Sequence, residues 1–185
     1  MVAGDVHEAL RLDRTLFVPA GVPPHRPSGT VLEAEKRLKL VDAALSGDER
    51  FEVWDGEVRR SGPSYTVDTL EALQDVHRGS DLFLTIGADQ HAVFETWHRT
   101  ERILELATVV VVERDGLRGA GHEDGDPVRQ ESQSGLPTHR YVHARRVDVS
   151  ATEVRERLGA GRSIRYLVPE SVRRIIEVNN WYISG

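Results

Sequence analysis

Residues 108–114 read TVVVVER, a run of four consecutive valines with no polar residue between them. An apolar stretch of this length without alternation suits a strand covered on both faces, as in the middle of a parallel sheet. Working outward, residues 82–87 (LFLTIG) have the same character, and residues 15–18 (TLFV) are a shorter version ended by Pro19 and Gly21. Between these runs Leu38, Val41, Ala44 and Leu45 fall at helical spacing, as do Val67, Leu70, Leu73 and Val76, which predicts amphipathic helices. FEVWDGEVRR, from Phe51, adds a short extended segment, Tyr141 marks another strand, and a last helix is predicted over residues 171–178. Strands alternating with helices predict the α/β class, a doubly wound parallel sheet that takes its ligand beyond the carboxyl ends of the strands.

A chain of 185 residues is predicted to form a single domain over residues 1–185. Residues 114–139, rich in Gly, Pro, Ser and charge and lacking an apolar period, are predicted to form a flexible surface loop. No apolar run approaches the roughly 20 residues that span a bilayer, so no membrane segment is expected. The opening residues MVAGDVHEALRLDR lack the basic start and apolar core of a secretory signal. With no cysteine, disulfides, thiolate zinc sites and cysteine nucleophiles are excluded, and a cytoplasmic location is expected. A net charge of -6 argues against broad binding to nucleic acid, whose affinity comes mostly from basic surface. Small anionic ligands need only a local positive potential.

Such a potential is offered at RRVDVSATEVRERLGAGRSIRYLVP, residues 145–169, where a strand gives way to a helix. Ser150 is placed to cap that helix, with Glu153 three residues on completing a capping-box pattern. An ordinary cap with a solvated Arg155 accounts for this pattern. A second reading accounts for it too: free amides and the positive end of a helix dipole attract phosphate, and the hydroxyls of Ser150 and Thr152 with the guanidinium of Arg155 add directional donors.

LFVPAGVPPHR, RRSGPSYTVDTLEAL, LFLTIGADQHAVFETWHR, TVVVVER and DVSATEVRERLGAGRSIRYLVPESV follow one another in this sequence. Together they resemble bacterial nicotinate-nucleotide adenylyltransferase, of the His-x-Gly-His nucleotidyltransferase superfamily, over most of the chain apart from residues 114–139. The resemblance implies a Rossmann-like fold and transfer of AMP from ATP to nicotinate mononucleotide, giving deamido-NAD and pyrophosphate with Mg2+. It implies that Ser150, Thr152 and Arg155 hold the phosphates of ATP. Trp97 then stacks on the nicotinate ring, and Thr66 and the backbone amide of His98 grip its carboxylate. Gly87 and Asp89 contact a nucleotide, the glycine by close backbone approach and the aspartate through a ribose hydroxyl. Arg26, assisted by His25, meets the acceptor phosphate. By local pattern alone Trp97 serves equally as a core tryptophan, while Thr66 reads first as a helix cap, Asp89 first as a turn cap and Arg26 as a solvated loop residue.

The family carries its catalytic histidines in a Gly-x-Phe-Asp-Pro-x-His-x-Gly-His turn after a first strand, and this sequence contains no such motif. The expectation is a chain that starts after that strand, with no catalytic histidine to name, since His7 has no Gly-His partner. A non-catalytic nucleotide-binding protein or an inactive fragment is the alternative. His91, Glu95 and His98 stand at i, i+4 and i+7, one face of a continuous helix, but without an HExxH-type signature no metal site is predicted. Oligomeric state stays open, a homo-oligomer included.

Overall fold

A computed structural model describes residues 1–23, 32–114, 128–131 and 139–182. In chain order its elements are α1 (Val2–Leu10), β1 (Thr15–Phe17), α2 (Ala34–Leu45), β2 (Phe51–Val53), α3 (Gly56–Arg59), α4 (Thr66–Val76), β3 (Phe83–Gly87), α5 (Ala88–His91), a 3-10 turn (Phe94–Thr96), α6 (Thr100–Leu106), β4 (Thr108–Arg114), β5 (Val128–Glu131), β6 (His139–Ala144), α7 (Ala151–Gly159) and α8 (Glu170–Val178). They group into two compact units, one of Met1–Asp13 with Ser64–Arg146, the other of Arg14–Pro63 with Val147–Gly185.

The first unit is built around β4. Its sheet has the order β3-β4-β6-β5, with β3, β4 and β6 parallel and β5 antiparallel to β6. Successive β4 side chains point to opposite faces. Val109 and Val111 enter a cluster with Val67 and Leu70 of α4 and Ile103 and Leu106 of α6. Val110 and Val112 meet Val6 of α1 together with Val142 and Ala144 of β6. Helices on both faces explain why the valine run has no polar alternate, and each of the buried Val, Leu and Ile side chains stabilises the unit by about 1.5–3 kcal/mol. The doubly wound α/β arrangement expected from the sequence is what forms. Helix α1 is also fastened to the end of β6, where Asp5 receives the Arg145 backbone N–H at 3.1 Å and pairs with its guanidinium at 2.6 Å. That arginine's hydrogen bond holds the Asp5 carboxyl below its usual pKa.

In the second unit β1 and β2 pair in parallel, Thr15 beside Phe51 and Phe17 beside Val53. Leu158 of α7, Ile164, and Val172 and Ile176 of α8 form a core that Leu40 and Ala43 of α2 cover. The Ser171 hydroxyl donates to the Ala43 carbonyl at 2.7 Å, tying α8 to α2.

Of residues 114–139, four form β5 against β6, while 115–127 and 132–138 lie outside the described residues. Among the described residues no helix is long and apolar enough to cross a membrane.

Candidate active site

In the second unit, α7 begins where the sequence placed its cap. Ser150 is extended (φ -109°, ψ 150°) and its hydroxyl oxygen accepts the Glu153 N–H at 3.0 Å. The helix is closed as firmly at its other end: Gly161, at φ 65°, donates to the Leu158 carbonyl and Arg162 N–H reaches back to Arg157. This is the paired bonding of a Schellman cap, for which glycine is suited because it has no Cβ to strain a left-handed backbone. One turn into α7, Arg155 Nη2 donates to Thr152 Oγ1 at 3.1 Å. Ser150, Thr152 and Arg155 are all exposed.

The chemistry of the three groups is lopsided. Each hydroxyl oxygen accepts one hydrogen bond from the protein and keeps an O–H proton free to donate outward, and a guanidinium can only donate. The helix adds its unpaired first amides and the positive end of its dipole. Arg37, on α2, adds charge nearby: both Arg155 and Arg37 act on the Tyr182 phenol, whose pKa is raised by burial against the opposing pull of the two cations. Arg37 was not picked out by sequence reasoning. Its guanidinium binds the carbonyls of Ala20, Gly21 at 3.0 Å and Leu32 at 2.9 Å, gathering both flanks of the segment that contains His25 and Arg26. His25 and Arg26 themselves lie outside the described residues.

In the first unit, Thr66 opens α4 but does not cap it. The cap position belongs to Tyr65 (φ -87°, ψ 136°), which provides no side-chain cap bond, so Thr66 stands among the amides that a helix leaves unpaired. Tyr65 also faces His98, their rings 4.4 Å apart at 35°, which brings the TWHR stretch to the start of α4. Tyr65 is a second residue that the sequence did not single out, although it lies within PSYT. Trp97 is half-buried and His98 exposed; the indole leans on Phe94 at 5.3 Å and on the core beneath. Gly87 ends β3 and precedes α5, and a Cβ built on it meets nothing within 4 Å. Asp89, on α5, is exposed. Gly87 lies at the carboxyl end of a parallel strand and Asp89 just past it, where doubly wound sheets take their ligands.

His91, Glu95 and His98 do not share a helix face. The helix stops at His91, the 3-10 turn intervenes, and Trp97 is extended. His91 turns instead to His139, and among the described residues no group of three or more His, Asp or Glu side chains is placed to hold a metal. A shallow depression in the second unit, lined in part by Asp42, Asp48, Glu49 and Glu52, is rimmed by carboxylates and suits no anionic nucleotide.

Comparison with known proteins bears on the family and the fold. A family model described as cytidylyltransferase-like matches residues 2–157. A relative from Salinibacter ruber, named a probable nicotinate-nucleotide adenylyltransferase, is 38% identical over 182 residues, covering 98% of this chain and 89% of the relative. One of the same name from Geobacillus thermodenitrificans is 35% identical over 98% of this chain and 78% of its own length. The solved nicotinic acid mononucleotide adenylyltransferase of Plasmodium falciparum, complexed with NaAD, superposes with a TM-score of 0.66 over 92% of this chain and 83% of that one. At 12% identity that match shows the fold alone.

Proposed function

We propose that this chain, which belongs to the nicotinate-nucleotide adenylyltransferase family, joins ATP and nicotinate mononucleotide into deamido-NAD and releases pyrophosphate. An oxygen of the mononucleotide phosphate attacks the α-phosphorus of ATP, the bond to the β-phosphate bridge breaks, and its electron pair leaves with pyrophosphate. No covalent bond to the protein is needed. The protein's share is to hold the two nucleotides in line and to meet the charge that spreads over phosphoryl oxygens as the bond breaks.

The observation that carries this reading is the set of outward donors on α7. The Ser150 and Thr152 hydroxyls each keep an O–H proton to donate and the Arg155 guanidinium only donates, which suits an anion that grows more negative as it departs. These neutral and cationic groups fit phosphate oxygens and not a bare cation, so Mg2+ would be held by the phosphates of ATP and not by these side chains. Bound there, it would neutralise phosphate charge. The acceptor is held in the first unit, with nicotinate on the indole of Trp97, its carboxylate at Thr66 and the His98 amide, and a ribose hydroxyl on Asp89 beside the bare backbone of Gly87. Neutral donors at a helix start favour a carboxylate over a carboxamide, whose NH2 opposes them. The cytoplasm is the compartment that suits a cysteine-free biosynthetic enzyme.

The test is a coupled assay of pyrophosphate release with ATP and Mg2+. Pyrophosphate and deamido-NAD are expected in equal amounts with nicotinate mononucleotide, and far less product with the nicotinamide analogue. Pyrophosphate release without an acceptor, or equal use of the two acceptors, refutes the assignment.

A further inference from the structure

Helix α5 is a single turn. Ala92 N–H donates to Ala88 at 3.0 Å and Val93 N–H to Gln90 at 3.3 Å, and Gly87 offers no side-chain cap. One turn is an unfavourable helix nucleus by itself, so its conformation must be set by neighbours. Among the described residues α5 makes one side-chain hydrogen bond: His91 Nε2 lies 3.0 Å from His139 Nδ1. The rings meet edge to face, centroids 5.1 Å apart at 79°. His139 is the first residue of β6, so the bond crosses from the end of β3 over β4 to the next strand.

We infer that the His91–His139 imidazole pair is a positioning device for the turn that carries Asp89, and that it sets affinity for the nucleotide Asp89 contacts. The inference rests on the proposed role of Asp89. Neither histidine is among the residues proposed to touch a nucleotide; both act through α5.

The chemistry of the pair makes it a strut with one setting. One nitrogen must donate and the other accept. His139 Nε2 is buried with no hydrogen-bond partner among the described residues, and a bare lone pair is better tolerated there than an orphaned N–H, so we assign His139 as donor through Nδ1–H. His91 from α5, Phe94 from the 3-10 turn and Tyr141 from β6 border the site. None of these supplies a negative charge that could hold a second proton. Burial is the largest cause lowering the His139 pKa, which favours the neutral ring that this bond requires.

Calorimetric titration of the full chain with nicotinate mononucleotide and with ATP tests the device. Asp89→Asn is expected to weaken nicotinate mononucleotide, whose ribose Asp89 is proposed to hold, and to leave ATP affinity unchanged. His139→Phe keeps a ring and drops the nitrogens; it is expected to weaken that same nucleotide by about two- to tenfold, the effect of one lost hydrogen bond, and to add nothing in the Asp89→Asn background. His139→Asn, whose amide reaches the place of Nδ1, and His91→Gln, whose amide reaches that of Nε2, restore most of the affinity, while His91→Leu behaves as His139→Phe. If His139→Phe has no effect, or weakens binding equally with and without the Asp89 carboxylate, the positioning role is overturned. If Asp89→Asn itself changes neither nucleotide, the proposed role of Asp89 fails, and this inference with it.

Discussion

Replacing Gly87 by Ala separates what the fold needs from what a ligand needs. Gly87 has φ -79° and ψ 161°, a conformation any residue adopts, and it pairs with Val112 as the last residue of β3. A Cβ there meets no atom of the described residues beyond its chain neighbours within 4 Å. Nothing among the described residues calls for glycine, so the unfolded-state entropy that alanine removes should raise stability by about 0.4–1 kcal/mol. For a protein of this size that is an increase in Tm of very roughly 1–4 °C. A ligand whose backbone contact runs across Gly87 meets the added methyl instead. Crowding of that kind costs about 1–3 kcal/mol, or about five- to hundredfold in affinity. Thermal unfolding and calorimetric titration with each nucleotide on the same preparation read both effects. An unchanged affinity alongside the raised Tm shows that no nucleotide approaches Gly87 and refutes the reasoning; a lowered Tm refutes the structural half of it.

Other substitutions and conditions have equally definite expectations. Arg155→Ala removes an exposed side chain whose described hydrogen bond is to its own helix, so stability should change by no more than about 0.5 kcal/mol while turnover falls by about 10²–10³, as when a charge-stabilising donor is lost; steady-state kinetics with a melting curve check both. Ser150→Asp keeps an effective cap but sets a negative charge where phosphate is expected, so the melting curve should hold while ATP affinity collapses; unimpaired ATP binding would leave Ser150 as a cap alone. Gly56→Ala drives a Cβ into the Trp54 indole, and urea unfolding should show a loss of about 1–3 kcal/mol. Because His139 has a lowered pKa in the folded chain, the unfolded chain binds a proton first as pH falls through about 6.5. The stability contributed by its neutral form is therefore present above that pH and is lost as pH falls through the folded value. Denaturant midpoints from pH 8 to 5 should decline less steeply in His139→Phe.

How much of this was legible beforehand depended on whether the cause was local. The four valines of β4 announce a strand buried on both faces because each faces a helix layer, and Ser150 announces a cap because its partner is three residues away. β5 gives no such signal: VRQE has no apolar alternation and is a strand because β6 offers an antiparallel edge, which is tertiary context overriding propensity. Counting helical positions across residues 91–98 misleads because the backbone leaves the α-helix after one turn, and Arg99 even takes up φ 56°. The histidine pair joins residues 48 apart in sequence, where no pattern in a short window reaches. Thr66 illustrates an error of one position: Tyr65, lacking a useful capping group, nonetheless takes the cap backbone and leaves the threonine inside the helix.

The most direct measurement is a crystal structure of the chain with ATP and Mg2+ bound. The β- and γ-phosphate oxygens are expected within about 2.7–3.2 Å of the Ser150 and Thr152 hydroxyls and the Arg155 guanidinium, at the first amides of α7. Phosphates bound elsewhere, with those three side chains left in water, contradict the assignment of this corner and the adenylyl transfer built on it.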